Sequence, residues 1–429
     1  MKNFLLTLLL LCLGIPCQAQ LQRSDYFNSR YKLKEAVVLS RHNIRAPLSG
    51  NGSALGNLTS HKWTEWSSAP SELTSRGGAL ETIMGQFFRK WLEKAGLFPD
   101  NYVPDYDDVN IYANSMQRTI ATGQYFTSGF MPMANLRVNH RYDQSKMDPI
   151  FNPQLTKVSK PFRDEAMRQI NAMGGKKGLR GVNEALEPSY VLIADVLDLK
   201  DSPSVKQGGK AAFDNYDTQI ILERYKEPSM KGSLKDANSA SDAFILQYYE
   251  EPDTIAAAFG KKLTRDQWTQ IAKIKDVYGD VLFTAPIVAA NVAHPLLVYM
   301  NDELLSPDRK FTFLVGHDSN LASVMAALGV EPYTLPNTIE GKTPIGSKLV
   351  IEKWLGNDGL EYGALNLVYQ SIDQLRNLEL LDLENPPMVI PLQLKGLTPN
   401  ADGLYKISDI NSRFLQAIRA YDAIIDDPL

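Results

Sequence analysis

Two clusters of ionisable residues in this sequence could bind a phosphate group. Arg41 and Arg45 lie on either side of His42, directly after the apolar run 37–39, which predicts a short buried strand. Each guanidinium offers paired N–H donors, so two of them four residues apart suit a tetrahedral oxyanion. Taken alone, the pattern fits equally well a basic surface turn with a hydrogen-bonded histidine.

The second cluster, His317-Asp318, has the same local arrangement. It follows the apolar run 311–315, which predicts another buried strand. The structural alternative for Asp318 is a carboxylate that caps the next helix, a common use of Asp after a strand. Ligands of open α/β sheets bind beyond the carboxyl ends of the strands, so we expect the two clusters to share one site.

A third arginine follows another predicted strand, residues 109–113. Asn114 or Ser115 is expected to cap the helix after it, which puts Arg118 in the first turn. The N-terminus of a helix carries the positive end of its dipole and favours anions. Arg118 is therefore a further candidate for phosphate binding.

The order of predicted elements indicates an α/β fold. Thr74 or Ser75 is expected to start an amphipathic helix that ends at Ala95, and strands are predicted over 311–315, 348–355, 363–370 and 388–394. We expect a mostly parallel sheet covered by helices on both faces. Further helices are expected after Ser319, as the cap, and after the capping box 264–267, the latter ending at Gly279.

Helical patterns replace strand patterns between residues 137 and 279. We therefore predict a discontinuous α/β catalytic domain, residues 20–136 and 280–429, into which a helical cap domain, residues 137–279, is inserted. Composition agrees with a soluble globular protein, at 44% hydrophobic and 22% charged residues. The net charge of -4 and the lack of a long basic run argue against a nucleic-acid partner.

The N-terminus predicts export. Lys2 precedes an apolar run, residues 5–15, that leads to a small-residue cleavage pattern at Ala19, so residues 1–19 are expected to be a signal peptide. Lipoprotein processing at Cys17 is disfavoured by Pro16, and the run is short for a retained membrane anchor. The predicted location is periplasmic or secreted, with no stable membrane anchor after cleavage. Both cysteines, Cys12 and Cys17, lie in this segment, so we expect a mature chain without disulfides.

The turn Arg41-His42-x-x-Arg45-x-Pro47 and the distant His317-Asp318 pair together resemble the histidine acid phosphatases. The similarity is greatest to the bacterial periplasmic branch that acts on glucose 1-phosphate, which also has Asn in place of Gly after the histidine, here Asn43. It extends over nearly the whole chain, through the stretches 112–119, 246–250 and 343–346.

This resemblance implies a histidine phosphatase fold and a role for each candidate residue. His42 would attack phosphorus and form a phosphohistidine, which water then hydrolyses. Asp318 would protonate the leaving alkoxide and later activate water. His317 would donate a hydrogen bond to the phosphoryl group, which Arg41, Arg45 and Arg118 would also bind. The sequence has no metal-ligand spacing and no phosphate-binding glycine loop, so we expect no cofactor and no metal.

Two further residues keep alternatives open. Asn43 could occupy a left-handed turn, which Asn tolerates better than most residues, or it could contact the substrate. Glu250 lies in the stretch that resembles the part of the family's helical domain facing the pocket. It could repel substrates with several phosphates, or it could be a solvated acid at a helix end.

The expected partner is a small-molecule phosphate monoester such as glucose 1-phosphate. The nearest alternative is a phytase or inositol polyphosphate phosphatase on the same scaffold. A more distant one is a non-catalytic periplasmic protein that binds sugar phosphates, although the intact set of candidate residues argues against it. The sequence has no pattern that specifies an oligomeric state.

Overall fold

The computed structural model describes residues 21–47, 53–105, 107–143 and 146–427, so the predicted signal peptide with Cys12 and Cys17 lies outside the described residues. The strands are β1 Tyr31–Arg41, β2 Val109–Ala113, β3 Gln219–Ile221, β4 Ser229–Lys231, β5 Phe311–Gly316, β6 Lys348–Gly356, β7 Glu361–Tyr369, β8 Met388–Pro391 and β9 Tyr405–Lys406. The α-helices are α1 Asp25–Asn28, α2 Ala54–Asn57, α3 Ser75–Lys94, α4 Gln117–Phe130, α5 Lys160–Ala172, α6 Leu179–Ala185, α7 Glu187–Val196, α8 Pro203–Lys206, α9 Ser233–Glu250, α10 Thr254–Ala257, α11 Arg265–Phe283, α12 Pro286–Leu305, α13 Asp318–Ala327, α14 Ile372–Asn377 and α15 Ile407–Asp422.

Seven of these strands form one sheet, in the order β2-β5-β1-β6-β7-β8, with β9 beside β7. The α/β class predicted from the sequence is confirmed. The expectation of a mostly parallel sheet is wrong, because only β2, β5 and β1 run parallel and the β1–β6, β6–β7, β7–β8 and β7–β9 pairs are antiparallel. Short connections join β6 to β7, and such connections permit only antiparallel neighbours.

Helices cover both faces of the sheet, as predicted. Successive residues of β1 point to opposite faces, so Ala36 and Val38 pack in one buried cluster while Val37 and Leu39 pack in another. The first cluster joins the sheet to α3 and α4, and the second joins it to α12, α13 and α15. A sheet buried on both faces explains why these central strands are apolar throughout.

The described residues between 137 and 279 contain seven α-helices, α5 to α10 and most of α11, and the small β3–β4 sheet. The predicted end of α11 at Gly279 is wrong: the helix continues to Phe283, since a glycine inside a helix costs only about 1 kcal/mol relative to alanine. The predicted domain boundary at 279/280 falls inside the continuous helix α11 and stays a prediction. Among the described residues no single helix is long and apolar enough to cross a membrane; the bent pair α11–α12 meets the length and composition criteria only together.

Some of the helix starts predicted from the sequence are correct and others are wrong. Thr74 caps α3, and Thr264 with Gln267 forms the predicted capping box of α11. Two predicted caps are wrong. Met116, with no side-chain cap bond, precedes α4, and His317 rather than Ser319 precedes α13. Asn114, before α4, and His317, before α13, instead form a hydrogen bond with each other.

Candidate active site

The three parallel strands end at one edge of the sheet, and this edge brings the predicted clusters together. Arg41 at the end of β1 is level with Gly316 of β5, and Ala113 of β2 is level with Val315. The His42 N–H donates to the Gly316 carbonyl at 3.0 Å, and the rings of His42 and His317 lie edge to face with centroids 5.4 Å apart. The two clusters therefore lie side by side, as expected from the strand ends.

His42 is held in one tautomer by its own loop. Its Nδ1 lies 2.8 Å from the Asn43 carbonyl oxygen, which can only accept, so Nδ1 carries the proton and Nε2 keeps a free lone pair. The residue is only 5% exposed. Burial and the guanidinium of Arg118 hold the pKa of His42 well below its usual range. The ring is therefore neutral and nucleophilic at Nε2.

His317 has the complementary hydrogen-bond arrangement. The Asn114 Oδ1 accepts from the Asp148 N–H, so its Nδ2 is the donor that lies 2.7 Å from His317 Nε2. Nε2 accepts, and Nδ1 therefore carries the proton of the neutral ring. Burial and Arg118 again hold the pKa well below the usual range. His317 thus offers an N–H donor beside the His42 ring, with its orientation fixed by Asn114.

Arg41 is 2% exposed, and two hydrogen-bond acceptors hold its guanidinium in place. Its Nη1 donates to Glu340 Oε1 at 2.7 Å and to the Thr343 carbonyl at 2.6 Å. Although burial opposes it, the Glu340 carboxylate raises the pKa of Arg41, which keeps the guanidinium charged. Nη2 faces Asp318, with 3.8 Å between the nitrogen and Oδ2.

The other two arginines differ in their partners. Arg45 Nη2 pairs with Asp242 of α9 at 2.7 Å, whereas Arg118 Nη1 donates to the Ser71 hydroxyl at 3.0 Å. No carboxylate of the described chain lies within ion-pair distance of Arg118. Burial and Arg45 lower its pKa to about 10, so it remains a cation at neutral pH. Arg118 lies in the first turn of α4, as predicted, and its charge is the least compensated of the three.

Asp318 is the first residue of α13, where its Oδ1 accepts from the Ser319 N–H at 2.9 Å. Its Oδ2 accepts from the Lys275 ammonium of α11 at 2.5 Å. Although burial works in the opposite direction, Lys275 and Arg41 hold the pKa of Asp318 well below its usual range. The carboxylate is one-third exposed and ionised in the free protein.

Asn43 fits neither of its two predicted roles. It has no positive φ, and its fully buried side chain points into the core rather than to the phosphate site. Its Nδ2 donates to Glu81 at 2.8 Å, and its Oδ1 accepts from the Ile44 N–H. A Cβ at Gly346, where φ is +66°, would come within 2.6 Å of Asn43 Nδ2. Asn43 and Gly346 are therefore complementary, and together they fix the loop that carries His42.

Glu250 lies away from the arginines. Its Oε2 accepts from the Thr74 hydroxyl at 2.9 Å, and burial raises its pKa. It is a partly buried carboxylate at the start of α3 and not the solvated acid of the alternative interpretation. On the same helix, Asp242 lies two turns earlier and contacts Arg45, so the cleft-facing acid of α9 is Asp242.

A cavity of about 280 Å³ adjoins the cluster through Arg45 and Asp318. Its other charged lining residues are Lys235, Lys275, Lys342, Asp242, Asp276 and Asp280. Within the described ranges, no group of three His, Cys, Asp or Glu side chains is arranged to bind a metal ion.

Sequence reasoning missed the residues that pair with the candidate charges: Glu340, Asp242, Lys275 and Asn114. Asn114 could have been found, since it directly follows β2 at the edge where ligands bind. The other three carry no local signal, because they lie 299, 197 and 43 residues from their partners.

The arrangement has the three components of phosphate-ester hydrolysis. A neutral imidazole offers a lone pair, three guanidiniums and a second imidazole with an N–H lie close enough to act on it electrostatically, and a carboxylate lies beside them. This is the chemistry that the sequence clusters suggested.

Comparison with known proteins agrees with this geometry. Residues 32–362 match the model of the "Histidine phosphatase superfamily (branch 2)". The chain is 40% identical to the glucose-1-phosphatase of Salmonella typhimurium, over 87% of this chain and 89% of the relative, and 38% identical to that of Providencia rettgeri, over 90% and 92%. Among solved structures, the apo form of Hafnia alvei phytase superposes with a TM-score of 0.82 at 27% identity, covering 92% of this chain and 98% of the phytase. The chain belongs to the histidine phosphatase superfamily, branch 2, and is a phosphatase.

Proposed function

We propose that this protein is an exported phosphomonoesterase that hydrolyses glucose 1-phosphate, or a closely related sugar monophosphate, through a phosphohistidine at His42. The observation that carries the proposal is the fixed tautomer of His42, which leaves a free lone pair on Nε2 of a ring on which the charges of Arg41, Arg45 and Arg118 act. The similarity to two glucose-1-phosphatases over most of the chain supports the choice of substrate.

In the first step, the lone pair of His42 Nε2 attacks phosphorus and the bond to the ester oxygen breaks. The three arginines and the His317 N–H neutralise the charge on the phosphoryl oxygens. Asp318, which is ionised in the free protein and takes up a proton from solvent before this step, gives that proton to the departing oxygen, and the alcohol leaves.

In the second step, the Asp318 carboxylate takes a proton from water, and the water oxygen attacks the phosphohistidine. The bond between phosphorus and nitrogen breaks, the electron pair returns to Nε2, and phosphate leaves. As a neutral nitrogen nucleophile, His42 needs no partner base in the first step.

The charge of the adjoining cavity favours a monophosphate. Its four cations, Arg45, Lys235, Lys275 and Lys342, face four carboxylates, and three of the cations already form ion pairs with Asp242, Asp318 and Asp280. A substrate with several phosphates would have to break these pairs, whereas an uncharged sugar would not. The volume of about 280 Å³ also suits a single sugar ring.

The alternative is a phytase on the same scaffold. The superposition on Hafnia alvei phytase favours it, since that fold covers 92% of this chain. Lys235 also weighs in its favour, because it is the cavity cation without a carboxylate partner among the described residues. The rest of the charged lining argues against a phytase, because its three cations face four carboxylates.

Export rests on the N-terminal pattern of Lys2, the apolar run 5–15 and the cleavage pattern at Ala19. We expect the purified mature protein from a periplasmic or culture fraction to begin at Gln20, as read by N-terminal sequencing. A start elsewhere would overturn the predicted cleavage site.

The decisive experiment compares kcat/KM for glucose 1-phosphate and inositol hexakisphosphate at the same pH and ionic strength. We expect the sugar phosphate to have the higher value. Asp242→Asn should narrow the ratio by about tenfold, because one like-charge contact of about 1–2 kcal/mol is removed from the cavity. Glu250→Gln, on the same helix but outside the cavity, is the matched control and should leave the ratio unchanged. Preference for inositol hexakisphosphate by the wild type would favour the phytase.

A further inference from the structure

The ion pair between Lys275 and Asp318 has no place in the mechanism described so far. Lys275 lies on α11, in the helical region, and its ammonium reaches across to α13 at 2.5 Å from Asp318 Oδ2. The Lys275 side chain is 11% exposed, so the contact is largely shielded from water. An ammonium so close to a carboxylate favours the ionised acid, yet the first step of hydrolysis needs that acid protonated.

We infer that Lys275 is a positioning residue that sets the pH range in which Asp318 can donate its proton to the leaving group. The inference rests on the proposed function, because it requires Asp318 to act as the general acid. It adds that one lysine of the helical region, Lys275, controls the protonation of Asp318 at the end of the sheet.

The two half-reactions make opposite demands on this pair. Before ester cleavage, Asp318 must take a proton from solvent, and the charge of Lys275 opposes that step. After cleavage, Asp318 must be ionised to take a proton from water, and the charge of Lys275 assists it. A bound phosphoryl group brings negative charge next to Asp318 and thus partly cancels the effect of Lys275.

Several groups besides Lys275 act on the carboxylate of Asp318. Arg41 at the end of β1, the adjacent His42 and Arg118 of α4 act on it. Tyr278 of α11, Glu227 in the segment before β4 and the neighbouring His317 also act on it. Arg41 also favours the ionised form but is 3.8 Å away and is held by Glu340. The two histidines are neutral, and Glu227 acts in the opposite direction. Lys275 is therefore the group whose removal changes the charge balance most.

The test is the pH dependence of kcat/KM, which reports the steps up to release of the alcohol. With glucose 1-phosphate, we expect Lys275→Gln and Lys275→Met to move the alkaline limb of the kcat/KM profile upward by about one pH unit or more. At any pH on the alkaline side of the limb, a shift of one unit corresponds to about a tenfold rise in kcat/KM relative to the plateau. With p-nitrophenyl phosphate the limb should not move, because this leaving group departs without a proton.

Two controls separate charge from packing. Lys275→Arg keeps the cation and should keep the wild-type limb. Lys342→Gln removes another cation from the same cavity, one that pairs with Asp280 at 3.0 Å, and should not shift the limb. Thermal unfolding of each variant checks that it is folded, and having two neutral variants guards against failure of one.

An unchanged limb in both neutral variants, with active wild-type enzyme, would overturn the inference alone. The same shift with both esters would also overturn it, because it would indicate a general effect on phosphate binding. A wild type that hydrolyses neither ester would overturn the proposed function and this inference with it.

Discussion

The buried ion pair behind the His42 loop gives the sharpest prediction about stability. Lys348 and Glu81 are both fully buried, with the Lys348 ammonium 3.1 Å from both carboxylate oxygens. The same ammonium donates to the Ser40 hydroxyl and to the Gly346 carbonyl, and Glu81 also accepts from Asn43. The pair thus connects three segments around the nucleophile.

Lys348→Met removes the ammonium and leaves the Glu81 carboxylate buried with Asn43 as its remaining partner. Breaking a buried pair in this way costs about 3–5 kcal/mol, because one uncompensated charge stays out of water. That is a large share of the roughly 5–15 kcal/mol that stabilises a typical protein. We expect a loss of this size in urea unfolding followed by tryptophan fluorescence. Because the ammonium no longer holds Glu81, the partner of Asn43, in place, kcat/KM should also fall, by up to about 10²-fold for a displacement near 1 Å.

The double variant Lys348→Met/Glu81→Gln tests the reasoning. Gln keeps an oxygen for Asn43 but carries no charge, so the double variant should be at least about 2 kcal/mol more stable than the sum of the single losses implies. Lys160→Met is the matched control, because its pair with Asp164 is exposed and should cost no more than about 0.5 kcal/mol. A loss below about 1 kcal/mol for Lys348→Met, or strict additivity in the double variant, would refute the argument.

Four further outcomes are expected. His42→Ala should abolish hydrolysis of aryl phosphates, and the wild type should yield an acid-labile phosphoenzyme on rapid quenching without acid; full activity of the variant would sink the mechanism. Asp318→Asn should slow glucose 1-phosphate by about 10²–10⁴-fold and p-nitrophenyl phosphate far less, whereas equal losses would indicate a structural role. Burial raises the pKa of Glu35 to about 8, despite Lys353, so the native state binds more protons than the unfolded state between about pH 4.5 and 8. The stability that this group contributes therefore falls as pH rises through that range. Glu35→Gln should flatten this decline when the free energy of unfolding is measured against pH, and an unchanged slope would contradict the argument. Activity should survive both EDTA and dithiothreitol, and a loss that added divalent metal reverses would reveal a metal site.

Local sequence patterns were sufficient for much of the fold. Thr74 capped its helix as predicted, β2 spans 109–113, and the Thr264 capping box opens α11. Helix caps and apolar periodicity depend on neighbours within a turn or two, so they can be predicted from the sequence without tertiary information. The predicted cap of α4 failed because the Asn114 side chain bonds to His317 in the site. The predicted cap of α13, Ser319, is wrong because the helix already begins at Asp318, whose carboxylate pairs with Lys275.

The direction of the strands was less predictable. The alternation of strands and helices favoured a parallel sheet, but β6, β7, β8 and β9 are connected so that they run antiparallel. Gly279 looked like a helix end, yet α11 passes through it because packing of its apolar face outweighs the weak intrinsic cost of one glycine. In both cases tertiary packing decided between local possibilities that the sequence left close in energy.

The sequence by itself determined which residues could do chemistry: His42, His317, Asp318 and three arginines, each after a strand or at a helix start. Only the tertiary structure decided the protonation and partners of those residues. The Asn43 carbonyl selects the tautomer of His42, Asn114 selects that of His317, and Lys275 keeps Asp318 ionised. The tertiary structure also places the Asn43 side chain in the core and Glu250 outside the cavity. Residue type is a local property, whereas charge state and orientation depend on distances between segments that are far apart in the chain, and folding alone sets those distances.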